Sequence, residues 1–145
     1  MLSETDLDEL IGFYETHSDE AGRRWRTLFD PAVPGPITLV NRFKLRDRAQ
    51  YDDGRPATGL DALMAYAATS VPALAKVGGR FLVSSPVVAP LFGTPDDTDL
   101  VVVGWYPDRR ALLDLLRDPE YRAAFEHRRA AVAEQWVVAT SAEAG

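Results

Sequence analysis

The chain has 145 residues, with 46% hydrophobic and 26% charged residues and no cysteine. That length fits one domain able to bury a core without disulfide or metal staples, and the missing cysteines exclude a disulfide scaffold, a thiolate nucleophile and a cysteine-ligated metal or cluster. A formal charge of −6 argues against nucleic acid or an anionic membrane as partner, because both select a cationic surface. The acidic N-terminus has no positive segment followed by an apolar run, so it reads as no secretory signal. No run approaches the roughly 20 apolar residues of a membrane span. A cytoplasmic protein is expected.

Residues 1–35 read as a helical extension. Ser3 is a candidate N-cap facing Asp6 three positions on, and Leu7, Leu10, Ile11 and Tyr14 recur at helical spacing. A second short helix carries Trp25, Leu28 and Phe29. Three prolines between Pro31 and Pro36 end it and mark a boundary. His17 has no supporting context and reads as a surface residue.

The next domain spans residues 36–141, and 142–145 is a frayed tail. Residues 37–45 alternate as a strand, with Ile37, Leu39, Asn41, Phe43 and Leu45 on one face. A polar loop with turn chemistry at Asp52, Asp53 and Gly54 follows. Residues 60–77 carry an apolar helical stripe through Leu60, Leu63, Ala67, Leu74 and Val77. Pro72 should kink or divide that helix, and Gly78 and Gly79 end it.

Residues 80–92 read as a strand interrupted near Pro86, which fits only an edge or bulge. Residues 100–106 are the most strand-like segment. A helix over 109–117 restarts at Asp118 and Pro119, a cap and first-turn pair, and runs to about Glu134. A short strand over 136–140 closes the chain.

From residue 37 the order is therefore βαββαβ, the ferredoxin-like α+β plan: a four-stranded antiparallel sheet with two helices on one face. The strands are apolar on both faces, so something must cover the second face. A symmetric copy, giving a homodimer, is the economical answer. The N-terminal helices are the alternative cover, or else wrap around a partner.

The strand over residues 35–51, the helix with Tyr66, Pro72 and the double glycine, and the run from Tyr106-Pro107 through Asp118, Pro119 and Tyr121 to His127-Arg128 together resemble the domain of unknown function 1330 family, over about residues 35–140. The resemblance implies a dimeric α+β barrel, in which two ferredoxin-like sheets close face to face. That superfamily includes small monooxygenases, isomerases and aromatic polyketide cyclases, so the resemblance implies a pocket. The chain departs from many relatives before the third strand, where Thr98-Asp99 stands in place of a tryptophan-aspartate pair.

Several polar residues sit at positions that invite chemistry. Asn41 interrupts an apolar face, and a buried amide without partners costs about 1–3 kcal/mol. It either bonds to neighbouring backbone or orients a ligand. Arg128 falls inside the apolar stripe of Tyr121, Phe125 and Val132. Its head either snorkels outward to an acidic partner or grips a carboxylate or enolate. His127, at the edge of that stripe, is either a surface histidine or a proton shuttle. Tyr66 and Ser70 lie a turn apart before Pro72, and Trp105 is a candidate pocket wall.

The leading expectation is a small-molecule-binding protein with an aromatic or carbonyl-bearing ligand, and any chemistry would be proton transfer without a cofactor. His127 and Arg128 would be catalytic, and Asn41, Tyr66, Ser70 and Trp105 would bind ligand. No cofactor or metal is expected, since two distant histidines make no histidine-rich site. Whether the protein is an enzyme stays open, against the alternative of a non-catalytic oligomeric binding or accessory protein.

Overall fold

The computed structural model describes residues 2–14, 18–30, 35–94 and 96–142. His17, Pro31 and Pro34 of the boundary, and residues 143–145 of the tail lie outside them. The elements in chain order are α1 (Glu4–Tyr14), α2 (Asp19–Leu28), β1 (Ile37–Leu45), α3 (Gly59–Lys76), β2 (Arg80–Pro86), β3 (Leu100–Tyr106), α4 (Arg110–Arg117), α5 (Pro119–Ala131) and β4 (Val132–Ser141).

Local chemistry starts and stops these helices. The Ser3 hydroxyl accepts from the Asp6 amide at 3.1 Å while the Ser3 amide donates to the Asp6 carboxylate at 3.2 Å. These reciprocal bonds satisfy two donors at the start of α1. The Thr58 hydroxyl caps α3 by accepting from the Asp61 amide at 3.0 Å. Asp118 accepts from the amides of Glu120 and Tyr121, so it begins α5 directly after α4 ends. Gly79 closes α3 against the sheet: a Cβ there would come within 2.7 Å of the Trp105 carbonyl oxygen.

The sheet order is β2-β3-β1-β4, and every neighbouring pair is antiparallel. It is a ferredoxin-like α+β fold, and two parts of the expected architecture are corrected. The sheet is open, with β2 and β4 as its edges, and is not closed into a barrel. Four strands are too few to curl round a packed interior, which takes about eight. The order is also not a simple βαββαβ with two helices. Asp118 and Pro119 split the second crossover into α4 and α5, and two further helices precede β1.

Other boundaries shift for tertiary reasons. β4 begins at Val132 because it pairs with β1 along that strand's whole length, from Leu45↔Val132 to Ile37↔Ser141. Partners on β1 outweigh the helical periodicity that carries α5 toward residue 134 in the sequence. Helix α3 runs through Pro72 as one element, so the proline does not divide it. β2 ends at Pro86, at the edge of the sheet, as proline requires.

The core lies between the sheet and the helices. Leu10, Ile37, Leu74, Leu112, Leu113 and Leu116 are fully buried in it. Helix α1 joins this core through Leu10, and Arg117 pairs with Asp6 and Glu9 at 2.9 and 2.8 Å. The N-terminal helices therefore lie against the helix layer and do not cover the second face of the sheet. That outer face carries Val40, Val101 and Val103, which are half-buried, and Val138, which is exposed.

Candidate functional site

Helix α3 is apolar on two sides. Leu63, Tyr66, Ser70 and Leu74 are buried, whereas Leu60, Met64 and Val71 are more than half exposed. The second stripe rims a cavity of about 1200 Å³ between the helices and the inner face of the sheet. Strand β1 supplies Asn41 and Phe43, α5 supplies Phe125 and Arg128, and α1 and α2 close one end with Tyr14 and Trp25. A large apolar concavity with a few converging polar groups is the usual form of a small-molecule site.

Arg128 is half-buried in this cavity. Its Nη1 donates to the Tyr66 hydroxyl at 3.4 Å and its Nη2 to Gln135 Oε1 at 3.0 Å. The guanidinium carbon lies 4.8 Å from the Phe43 ring centre, 5.3 Å from that of Phe125 and 5.8 Å from that of Tyr66. No carboxylate among the described residues pairs with it. Burial works against its charge, but the oxygens of Tyr66 and Tyr121 outweigh burial and hold its pKa above the ordinary arginine value. The result is a cation seated among aromatic rings, with part of its five-donor fork unused.

A chain of phenols runs back from Arg128. The Tyr66 and Tyr121 hydroxyls are 3.0 Å apart, and Tyr14 donates to Tyr121 at 3.3 Å. Burial pushes the hydroxyls of Tyr14 and Tyr121 well above the usual tyrosine range, so both are neutral hydrogen-bonding groups near pH 7. Tyr14 stacks on Trp25 with ring centres 5.2 Å apart. The N-terminal helices thus contribute to this wall.

The two buried polar side chains of the cavity besides Arg128 and the tyrosines have capacity left over. Asn41 is 8% exposed, and its amide nitrogen donates to the carbonyls of Leu39 and Val102 at 3.3 and 3.1 Å. Its Oδ1 accepts nothing from a described residue. Ser70 is 3% exposed, and its hydroxyl makes no hydrogen bond with a described residue. Both line the cavity.

The six candidate residues divide. Asn41, Tyr66, Ser70 and Arg128 meet in the cavity, and His127 and Trp105 lie elsewhere. His127 faces the loop after β1, where its Nδ1 is 2.6 Å from the Tyr51 hydroxyl. Arg55 stacks on Tyr51 at 3.9 Å and pairs with Glu126, closing a surface cluster. Successive helical residues diverge by about 100°, so neighbours on α5 serve different surroundings. Trp105 is on the outer face, paired across from Thr38 and stacked under Arg80 at 4.6 Å.

In the sequence Tyr14 and Tyr121 read only as stripe residues, and nothing marks Gln135. The available signal was that a buried phenol needs a hydrogen-bond partner. No group of three or more potential ligands among the described residues could hold a metal ion, and no described helix is long and apolar enough to cross a membrane.

Comparisons with known proteins agree with this architecture. Residues 57–141 match the model of the domain of unknown function DUF1330. The chain is 30% identical to RPA0582, a protein of unknown function from Rhodopseudomonas palustris, with a TM-score of 0.74 over 89% of this chain and 96% of that one. For the methylated form of RPA0582 the values are 32% and 0.75, over 88% and 93%. The chain belongs to the DUF1330 family. A candidate antibiotic biosynthesis monooxygenase from Caulobacter crescentus shares the fold at 14% identity, with a TM-score of 0.53 over 77% of this chain and 93% of that one. No curated protein matches.

Proposed function

We propose that the cavity between sheet and helices binds a small aromatic or carbonyl-bearing metabolite. The observation that carries this reading is Arg128: a guanidinium with unused donors, no carboxylate partner among the described residues and three aromatic rings around it. Arginine in such surroundings is suited to a planar anion. An open cavity lined by both Asn41 and Arg128 favours ligand binding over a purely structural role, which would leave a closed, dry core.

Any chemistry here is proton transfer without a cofactor, of isomerase, cyclase or monooxygenase type. Arg128 stabilises an enolate or phenolate oxygen, and the Tyr66 hydroxyl, in line with Tyr121, supplies a second donor. Asn41 and Ser70 orient the ligand. His127, bonded to Tyr51, takes no part. The Caulobacter protein's name is in keeping with such chemistry, and the likeness itself is one of fold.

The protein works as a homodimer in the cytoplasm in this reading. Val83, Trp136 and Val138 are 43%, 39% and 60% exposed on or beside the bare outer face, and a second copy would cover them.

The test is deuterium exchange. Aromatic ketones with an exchangeable carbon-bound proton are incubated with protein in heavy water and followed by NMR, alongside Arg128→Met. Exchange accelerated by the native protein and lost in the variant supports catalysis. Ligand-induced thermal stabilisation without exchange supports binding alone. No interaction with any such compound refutes the reading.

A further inference from the structure

The polar groups of the cavity are arranged in two layers. Helix α3 runs antiparallel to β1. Its first residue, Gly59, donates to the Asp47 carbonyl just past the end of β1 at 3.3 Å. Near its other end Leu74 lies against Gly104, which pairs with Leu39 near the start of β1. Stepping from Tyr66 to Ser70 along the helix therefore follows the step from Phe43 to Asn41 along the strand. Four helical residues rise about 6 Å, and two strand residues about 6.6 Å. Arg128 lies between Tyr66 and Phe43. Asn41 and Ser70 form the next layer, roughly one aromatic ring away.

The unmet capacities of the two layers differ. The Arg128 layer offers a cation with spare N–H donors between ring faces. The other layer offers the Asn41 Oδ1, which only accepts, and the Ser70 hydroxyl, which can donate. A hydroxyl group satisfies both at once, donating to Asn41 and accepting from Ser70. The walls between are flat and apolar: Phe43, Phe125 and Val102.

We infer that the cavity takes a hydroxylated aromatic acid, with its carboxylate or equivalent anion on Arg128 and its hydroxyl, across the ring, bridging Asn41 and Ser70. This rests on the reading of the cavity as a ligand site and adds the class of ligand.

Isothermal titration of the native protein with para- and meta-hydroxybenzoate, benzoate and para-hydroxybenzyl alcohol tests it. At least one hydroxybenzoate binds roughly tenfold more tightly than benzoate, which lacks the hydroxyl, or the alcohol, which lacks the charge. Ser70→Ala removes the preference over benzoate and leaves benzoate itself unchanged. Arg128→Met removes the preference over the alcohol; Arg128→Lys, which keeps the charge, retains part of it if the methionine variant does not fold.

Equal binding of all four probes, or preferences that survive the substitutions, overturns the two-layer assignment while the cavity remains a ligand site. If none of the four binds, the ligand site itself fails, and this inference with it.

Discussion

The two faces of the sheet are both apolar, yet they are finished differently. On the outer face several polar groups at the margin are paired within the chain. The hydroxyls of Thr38 and Thr140 meet, and Lys44 reaches Asp97 at 2.7 Å. Arg42 binds Asp96 and Thr98 and stacks over Trp136 at 5.1 Å. An apolar centre inside a polar rim has the composition of a protein interface. On the inner face Asn41, Ser70 and Arg128 keep bonding capacity inside a cavity. Unmet polar groups within an apolar wall call for a ligand that meets them. The difference is one of satisfaction, since hydrophobicity alone would make the two faces alike.

Substitutions on opposite faces should separate these roles. Val138→Asp puts an uncompensated carboxylate on the outer face of the edge strand β4, and a symmetric pair of them in the proposed interface. Like charges brought together in an interface cost several kcal/mol. By light scattering the proposed dimer becomes a monomer, while the proposed ligand binding in the inner cavity is unchanged. A dimer that persists would place the contact elsewhere.

Arg128→Met is the converse. Losing a charged hydrogen-bonding partner weakens ligand binding by about 1.5–3 kcal/mol, measured calorimetrically, with the oligomeric state unchanged. A variant that also dissociates would show that the two faces are not independent.

Asp118→Ala acts on the roof of the cavity. Burial raises the Asp118 carboxyl, but the amides of Tyr121 and Glu120 and the Lys76 ammonium outweigh burial and lower its pKa. Its contribution is therefore present above the usual carboxylate range and is lost as pH falls through the lowered value. Near pH 7 the variant loses about 1 kcal/mol in urea unfolding, and the difference from the native chain shrinks in acid. A difference that instead grows in acid would reverse the assignment. The smallest effect is expected for His127→Gln, which removes only the contact with Tyr51. Unfolding should change by under about 0.5 kcal/mol, and titration should show unchanged affinity.

Strands β1 and β3 were legible in the sequence to the residue, because alternation and β-branching are local signals. The site was legible only as suspicion. Asn41 and Arg128 drew attention because each breaks an apolar pattern. Trp105 was equally plausible as a wall, since both faces of β3 are apolar, and its lying on the outer face follows from the side on which the helices pack. His127 and Arg128 are adjacent in sequence and similar in promise. Their separation depends on the orientation of α5, which Tyr121 and Phe125 set by burying themselves in the core.

Residue type and local pattern were enough for the ferredoxin-like α+β class, the strands β1 and β3, the caps at Ser3 and Asp118, and the exclusion of thiol chemistry. Each of these depends on residue type or on neighbours a few positions away. Tertiary structure alone decided that the sheet stays open, that β4 extends back to Val132, and that α1 lies over the helices and brings Tyr14 to Tyr121, 107 positions away. It also decided that Arg128 meets Tyr66 across 62 positions while His127 turns to Tyr51 across 76. Which distant groups meet is set by how apolar faces pack, and local periodicity carries no information about that.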